Sequence, residues 1–277
     1  MKIIKIQGKN RIWQEISEIL EACQRSQFQM SDEETSRDFA IANDHGNIDA
    51  MYAYGTALYD GNGVLMNKEE AGRYFKMAAD KGHIKSMYKY GTMLEKGDGV
   101  PMNKEEALRY FKMAADKGDI EAMFDSALLL AKGEGVPMNK EEACRYFKMA
   151  ADKGNIEAMF DSGLMLAKGE GVSMNKEEAC RYFKMAADKG HIESMFNYGT
   201  MLYHGEGVSM NKKLACRYYK MAADKGCIEA MINYGNILEY GEGVQMNKRE
   251  ACRYYKMAAD NGCQEAMVNY GKMLKNG

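Results

Sequence analysis

The sequence predicts an all-α fold, a solenoid of antiparallel helix pairs stacked in 36-residue repeats. The stretch MNKEEACRYFKMAADKG at Met138 to Gly154 returns unchanged at Met174 to Gly190. Apolar residues within each repeat follow helical spacing rather than the alternation of a strand. The chain also has 28 Gly but only 2 Pro, so helices can run uninterrupted and glycines can separate them.

The repeat frame is regular over most of the chain. When it is aligned on the glycine that ends each A-A-D-K-G motif, six full repeats follow one another, at 46–81, 82–117, 118–153, 154–189, 190–225 and 226–261, and a half repeat covers 262–277. The remaining residues, 1–45, are predicted to be an N-terminal segment with an amphipathic helix at 10–25 and a divergent first repeat. The predicted domains are therefore this segment and the array, 46–277.

Each repeat divides into two helices, as the third one shows. The first helix carries one apolar stripe, and the second buries four further side chains: Ile120, Met123, Ala127 and Leu130, then Ala143, Tyr146, Phe147 and Ala150. Gly133 is suited to the left-handed conformation that ends a helix, and Asn139 with Glu142 forms a capping box. A single helix pair buries little apolar surface, so neighbouring repeats must stack for stability.

The recurring positions resemble a known repeat. They read A-M-x-x-x-[GA]-x-x-L-x-x-G-x-G-V and then N-K-x-x-A-x-R-Y-[FY]-K-M-A-A-D-[KN]-G. Over about residues 31–277 this pattern resembles the Sel1-like repeat, a relative of the tetratricopeptide repeat. The tetratricopeptide repeat itself is a weaker match because it is shorter and ends in proline, and the ankyrin T-P-L-H motif is absent. The resemblance implies a right-handed superhelix that serves as an interaction scaffold.

Charge and hydropathy argue against several classes of protein. The 38 basic and 40 acidic residues leave a net charge of −2, without the basic excess that is typical of a nucleic-acid binder. No segment approaches the roughly 18 apolar residues that a membrane-spanning helix needs. The N-terminus also lacks the apolar core of a secretory signal. We therefore expect a cytoplasmic protein with no nucleic-acid partner and no membrane insertion.

No motif for catalysis, cofactor binding or metal binding is present in the sequence. G-x-S-x-G, Walker, H-E-x-x-H and C-x-x-C patterns are missing, so we expect no catalytic residue, no cofactor, no metal and no enzyme activity. His83 and His191 share a position three repeats apart and are expected to be exposed residues at helix starts. The 7 Cys, an odd number without a signal peptide, are expected to be reduced.

Methionines recur in two columns that begin at Met66 and Met77. Methionine suits adaptable binding surfaces, so an interface is one interpretation. Because the columns follow helical spacing in every repeat, core or inter-helix packing is the favoured interpretation.

The candidate partner site is the concave groove that the first helices line in superhelices of this type. Met51 and Leu58 belong to the core stripe, so positions 49, 52, 53 and 56 face the other way. The repeats differ most at these positions, as expected for a recognition surface on a constant scaffold. The candidate residues are Glu121, Phe124, Asp125, Glu157, Phe160, Asp161, Glu193, Phe196, Asn197, Asn233 and Asn269.

The candidates suggest what they would bind. Asn197, Asn233 and Asn269 could hold the backbone of an extended peptide, because each amide both donates and accepts hydrogen bonds. The acidic residues of the third and fourth repeats predict a patch that favours Lys or Arg on the partner. Two alternatives remain: the glutamates near helix starts could stabilise the helix dipole, and the aromatic residues could pack between neighbouring first helices.

The favoured function is a non-enzymatic scaffold or adaptor that binds a peptide or protein in the groove. One alternative is a regulatory or targeting segment of a larger multidomain signalling enzyme, because the array stops after a first helix whose Met267, Tyr270 and Leu274 stay apolar. That open helix also predicts self-association. A further alternative is β-lactam binding, reported for cysteine-rich relatives, which carry a cysteine pair in each repeat where this chain does not.

Overall fold

The computed structural model describes residues 47–276, and within them the chain is helical throughout, with no strand. The helices are α1 Ile48–Asp60, α2 Lys68–Asp80, α3 Ile84–Lys96, α4 Lys104–Asp116, α5 Ile120–Lys132, α6 Lys140–Asp152, α7 Ile156–Lys168, α8 Lys176–Asp188, α9 Ile192–His204, α10 Lys212–Asp224, α11 Ile228–Tyr240, α12 Lys248–Asp260 and α13 Gln264–Asn276. The all-α solenoid class is confirmed. The helix predicted at 10–25 and the divergent first repeat lie outside the described residues.

The chain divides into two compact units. The first extends to Leu129 and includes 133–137, and the second comprises 130–132 and everything from Met138 onward. Within each unit every helix packs on the next one along the chain, α1 to α4 in the first and α6 to α13 in the second. Odd-numbered helices are the first helices of their repeats and even-numbered ones the second helices.

Local capping signals set the helix ends, as predicted. The first helices α1 to α11 end at a glycine in the left-handed conformation, and Gly133 has φ 67°. Asn139 begins α6, and its side chain accepts a hydrogen bond from the Glu142 backbone N–H at 3.0 Å. The other half of the predicted capping box, in which the Glu142 side chain would accept from the Asn139 backbone N–H, is wrong. The Asn139 backbone N–H instead donates to the Leu130 carbonyl at 2.8 Å, so Glu142 has no backbone N–H left to accept there.

The G-x-G-V loop is also where neighbouring repeats meet. In the second unit, a Cβ on Gly171 would lie 2.2 Å from the Lys140 carbonyl oxygen, and its φ is +70°. Only glycine fits both the conformation and the close approach. Between the two glycines, the Glu170 carboxylate pairs with the Lys140 ammonium at 2.7 Å. The same lysine-to-acid pair, Lys68 with Asp98 at 3.0 Å, recurs in the first unit.

Small residues let the two helices of a repeat pack closely. A Cβ on Gly91 would lie 2.7 Å from the Phe111 ring, and one on Gly163 would lie 2.7 Å from the Phe183 ring. The buried core is made of these rings and of the alanines on the second helices. The second helices are also tied to their predecessors, since the Tyr182 hydroxyl donates to Asp152 at 3.0 Å. The repeated motif therefore encodes a surface that fits its own copy.

The core interpretation of the methionine columns is wrong for the column that begins at Met66. Its members are among the most exposed apolar side chains of the described chain, at 56–66%: Met66, Met102, Met138, Met174, Met210 and Met246. They lie in the loop directly before the capping asparagine, where helical spacing does not decide burial. Met77 lies in α2 and is 40% exposed, so it is not a core residue either.

The described cysteines are all free thiols. Cys144, Cys180 and Cys216 are buried, and Cys227, Cys252 and Cys263 are partly buried. Burial raises the pKa of the Cys180 thiol to about 11, which leaves it protonated and unreactive at neutral pH. Cys23 lies outside the described residues.

Candidate functional site

The candidate residues fall on the first helices of both units. Glu121, Phe124 and Asp125 lie on α5 in the first unit. The others lie on α7, α9, α11 and α13 in the second: Glu157, Phe160, Asp161, Glu193, Phe196, Asn197, Asn233 and Asn269. The three glutamates are exposed, and the other candidates are half-buried. The predicted acidic patch is thus made of one pair of residues in each unit.

In the first unit Asp125 is held in a partly desolvated position on α5. Burial raises the pKa of the Asp125 carboxyl to about 6, and the negative charges of Glu95 and Glu121 add to the effect. A hydrogen bond from the Tyr88 hydroxyl on α3 opposes the shift in pKa but does not cancel it. Asp125 therefore carries a negative charge at neutral pH only at a cost to the fold.

In the second unit Asp161 lacks even that hydrogen bond. Within residues 47–276, its half-buried carboxylate has no hydrogen-bond donor and no ion-pair partner within contact distance. Burial raises its pKa to about 6, and Glu157, one turn earlier on α7, raises it further. The electrostatic influence of His191 and of Lys132 acts in the opposite direction but does not cancel the rise in pKa. A carboxylate in this position would be stabilised by a cationic group brought by another molecule.

The aromatic candidates contact their own scaffold. In the second unit the Phe160 ring lies 6.0 Å from Phe183 and 4.8 Å from His191, measured between ring centroids. The Phe196 ring lies 5.9 Å from Tyr219. These rings pack against the second helix of their repeat, and Phe160 also packs against the start of the next first helix. The packing interpretation therefore accounts for part of each ring, and the half-buried remainder stays accessible.

His191 and His83 are not the exposed residues that the sequence predicted. The His191 side chain is 11% exposed and caps α9, accepting a hydrogen bond from the Ser194 backbone N–H at 3.2 Å through Nδ1. Its Nε2 lies 3.4 Å from Glu157 and 3.5 Å from Glu193. His83 caps α3 in the same way through Ser86. The serine three residues after each histidine was the signal that could have identified this role.

A pocket of about 530 Å³ surrounds His191. Its walls come from α7, from the start of α9 and from the loop between α8 and α9, and include Glu157, Phe160, Lys189, His191 and Glu193. Two aromatic rings and two carboxylates face this pocket. The grouping joins three of the predicted residues, Glu157, Phe160 and Glu193, on one surface.

The asparagine candidates differ in their surroundings. The Asn197 side-chain amide donates to the Glu193 carbonyl of its own helix at 2.7 Å, so one of its N–H groups is occupied. Asn233 contacts the hydroxyl of Tyr219 and lines a second pocket of about 220 Å³. Asn236 lines the same pocket but was not predicted as a candidate. The signal was available, since asparagine occurs at 236 where other repeats have threonine, leucine or lysine.

No group of three or more His, Cys, Asp or Glu side chains within residues 47–276 is placed to hold a metal ion. A helix long and apolar enough to cross a membrane is likewise not found in this range. The chemistry of the described first-helix surface is therefore that of hydrogen-bonding amides, half-buried carboxylates and aromatic edges.

The chain belongs to the Sel1 repeat family. The family model of the Sel1 repeat matches six consecutive segments, at 48–83, 84–119, 120–155, 156–191, 192–227 and 228–263. Proteins of this family are generally protein–protein interaction scaffolds and are typically non-catalytic. Comparison with curated proteins found no match.

Solved structures share the fold. One is a protective antigen present in uropathogenic Escherichia coli strains and displaying an SLR fold, with 25% identity and a TM-score of 0.78. The match covers 87% of this chain and 52% of the antigen, so this chain spans about half of the antigen's length. Another is a Sel1 repeat protein from Oxalobacter formigenes, with 28% identity, a TM-score of 0.60, and coverage of 82% and 91%.

Proposed function

We propose that this chain is a non-enzymatic scaffold that binds a peptide or protein carrying basic side chains on the surface formed by its first helices. Family membership supports the general role, because Sel1 repeat proteins generally bind other proteins. The position and the chemistry proposed for the partner site rest on this chain's own residues. The partner is an extended segment that places Lys or Arg against Asp125 or Asp161.

The single observation that carries the proposal is the environment of Asp161. A half-buried carboxylate without a hydrogen-bond donor destabilises the fold whenever it is charged, and the charges of His191 and Lys132 offset only part of that cost, since the pKa stays raised. Such a residue is a candidate for a functional site because an incoming cation would remove that cost. Asp125 supplies a second, milder example in the first unit.

The neighbouring residues suit a basic side chain. Glu157 and Glu193 are exposed carboxylates that would attract Lys or Arg before contact, and their attraction weakens as salt rises. The ring of Phe160 offers an aromatic surface for the alkyl part or the guanidinium of the incoming residue. Glu157 and Phe160 on α7 and Glu193 at the start of α9 line the same pocket, so a single side chain bound there would be near both kinds of group.

The test is selection from a random peptide library displayed on phage, with the wild-type chain and the isosteric variant Asp161→Asn as baits. We expect enrichment of peptides with Lys or Arg for the wild type, and at least about tenfold weaker binding of those peptides by the variant, since a desolvated charge pair is lost. Glu177→Gln, an exposed carboxylate on the second helix α8, is the control and should bind as wild type does. No basic enrichment, or equal losses in both variants, would reject the proposal.

Protonation offers an independent readout of the same binding. Because the pKa of Asp161 lies near 6, a fraction of the carboxyl groups is protonated at pH 6, and a basic partner should displace that proton. Calorimetric titration at pH 6 in two buffers of different ionisation enthalpy should therefore show proton release with the wild type. The release should decrease in Asp161→Asn. An unchanged release would assign it to another group.

The apolar surface of α13 supports self-association as a second contact. Met267, Val268 and Leu274 are 49%, 56% and 63% exposed, whereas Met231, Ile232 and Leu238 at the equivalent positions of α11 are buried. Exposed apolar groups grouped on one helix favour contact with another protein surface. Light scattering over a range of concentrations tests this, and we expect Leu274→Lys to shift the chain toward monomer. A monomeric wild type at high concentration would reject this contact.

A further inference from the structure

The pocket beside Asn233 is built from three helices of the second unit. Tyr203 and His204 come from the end of α9, Tyr219 from α10, and Asn233, Asn236 and Ile237 from α11. Walls from three elements make this a recess rather than an open groove. Its volume of about 220 Å³ suits one side chain. A peptide backbone, which continues on both sides of every residue, would not enter such a recess.

The hydroxyl of Tyr255 determines the orientation of the Asn236 side-chain amide, which forms one wall of the pocket. It lies 2.6 Å from Asn236 Oδ1 and 2.7 Å from Glu239 Oε2. A tyrosine hydroxyl has only one proton, and a carboxylate is a stronger acceptor than an amide. The proton therefore goes to Glu239. The Asn236 amide, whose two ends are nearly equal in size, then satisfies the network by turning its NH₂ group toward the tyrosine oxygen.

This orientation leaves two groups of Asn236 without partners. Its carbonyl oxygen and its second N–H make no other hydrogen bond within the described residues. Asn233, one turn earlier on α11, is in a similar state, because it donates to the Tyr219 hydroxyl and keeps a carbonyl and one N–H. Tyr219 in turn donates to Thr200 at 3.1 Å. Two neutral amides thus line the recess, each with one acceptor and one donor to spare.

We propose that this recess binds a primary carboxamide, the group at the end of a Gln or Asn side chain. A primary carboxamide presents its carbonyl oxygen and one N–H side by side on the edge opposite its carbon chain, so it can pair with a free donor and a free acceptor of Asn233 and Asn236. The pocket lining contains His204 but no carboxylate, lysine or arginine, so a charged group would lose its hydration there without a permanently charged partner. The proposal deepens the scaffold function and rests on it, since the carboxamide belongs to the bound partner.

The experiment measures the recess directly with small probes. The δ-methyl resonance of isotopically labelled Ile237 is followed by NMR while propionamide is added to high millimolar concentration, because a probe of side-chain size binds weakly. Propionate and propylammonium are charged probes of the same size, and N-methylacetamide represents a backbone amide. We expect a saturable shift with propionamide. The affinity for each of the other three probes should be at least about threefold lower than that for propionamide.

The chain itself supplies matched variants. Asn236→Leu introduces leucine, which two other repeats already have at the equivalent position, as Leu128 and Leu164. The substitution is therefore compatible with the fold. It should abolish propionamide binding, whereas Lys272→Leu, the same substitution site in the repeat but on α13 and outside the recess, should leave it unchanged. Circular dichroism establishes that both variants are folded.

Several outcomes would overturn the proposal. They are the absence of a saturable shift with propionamide, an equal response to propionate or propylammonium, tighter binding of N-methylacetamide, and retained binding in Asn236→Leu. The proposed scaffold function fails separately, through the peptide selection with Asp161→Asn. A chain that captures basic peptides but gives no propionamide shift would retain the scaffold function and lose the recess alone.

Discussion

The first helices α7 and α11 share one backbone plan but present different chemistry. In each helix, a glycine lets an aromatic ring of the second helix approach closely. A Cβ added at Gly163 would lie 2.7 Å from the Phe183 ring, and one added at Gly235 would lie 2.6 Å from the Tyr255 ring. On α7 the accessible surface carries Glu157, Phe160 and Asp161 above an apolar ring. On α11 it carries Asn233 and Asn236 above two tyrosines.

One phenolic oxygen accounts for much of this difference. The Tyr255 hydroxyl meets two hydrogen-bond partners, Asn236 and Glu239, which lie 19 and 16 residues earlier in the chain. The same register before Phe183 holds Leu164 and Ala167, neither of which can accept a hydrogen bond from its side chain. Each ring thus matches the helix on which it packs. A constant scaffold can therefore change its binding surface two or three residues at a time, without altering the path of its backbone.

The largest expected effect comes from breaking the loop that both regions share. In Gly171→Ala, the left-handed conformation and the contact with the Lys140 backbone should together destabilise the fold by about 2–5 kcal/mol. Gly243→Ala should cost less, because its new Cβ would first meet a side-chain carbon of Lys212, at 2.7 Å. Urea denaturation measures both losses.

A control separates strain from the contact between repeats. Gly190 has φ +98° but nothing within 4 Å of a new Cβ, so Gly190→Ala should cost only the conformational part, about 1–2 kcal/mol. Equal losses for Gly171→Ala and Gly190→Ala would contradict the account of the loop as an interface.

Changing the aromatic ring on a second helix should remove its fit to the first helix on which it packs. Phe183→Tyr would bury a hydroxyl against Leu164 with no acceptor and should destabilise by about 1–3 kcal/mol. Adding Leu164→Asn should recover most of that loss, because the Asn side chain places a hydrogen-bonding group beside the new hydroxyl. Thermal denaturation of the single and double variants checks this, and an undisturbed single variant would show that the register does not matter.

Removing the charge of Asp161 should show how much the half-buried carboxylate on α7 destabilises the fold, a cost that the neutral amides on α11 do not have. Its pKa is about 6 in the fold and 3.8 ordinarily, so the folded state holds more protons between about pH 4 and pH 6 and stability falls as pH rises through that window. At pH 7 Asp161→Asn should therefore stabilise by about 1–2 kcal/mol after allowance for partial exposure. The advantage should disappear below about pH 4. Urea denaturation at several pH values measures it, and a pH-independent difference would exclude titration of Asp161 as the cause.

The smallest expected effect compares two buried serines. The Ser162 hydroxyl has no hydrogen-bond partner within the described chain, so Ser162→Ala should stabilise by about 1 kcal/mol. Ser194 pairs with His191 at 2.9 Å, so Ser194→Ala should destabilise by about 0.5–1.5 kcal/mol. Differential scanning calorimetry should give opposite shifts, and shifts of the same sign would show that the two hydroxyls are equivalent.

Much of the fold could be predicted because its determinants are local. The capping Asn139 and the left-handed Gly133 are signals that act within a few residues, and both were confirmed. The candidate surface was predicted less completely. Position on the first helices follows from helical spacing, but Asn236 and the capping role of His191 depend on partners contributed by other helices. The positions proposed for partner contact stay predictions.

The sequence by itself determined the period, the helix pairs and the helix ends of the described array, because caps, turn glycines and apolar stripes act over one or two turns. Only the tertiary structure decided which side chains lost their water. In the folded chain the methionine column that begins at Met66 is exposed, and Asp161 is half-buried without a hydrogen-bond donor. Tyr255 lies within hydrogen-bond distance of both Asn236 and Glu239. Burial and pairing depend on residues that lie far apart in the chain, and the packing of one helix against the next brings them together.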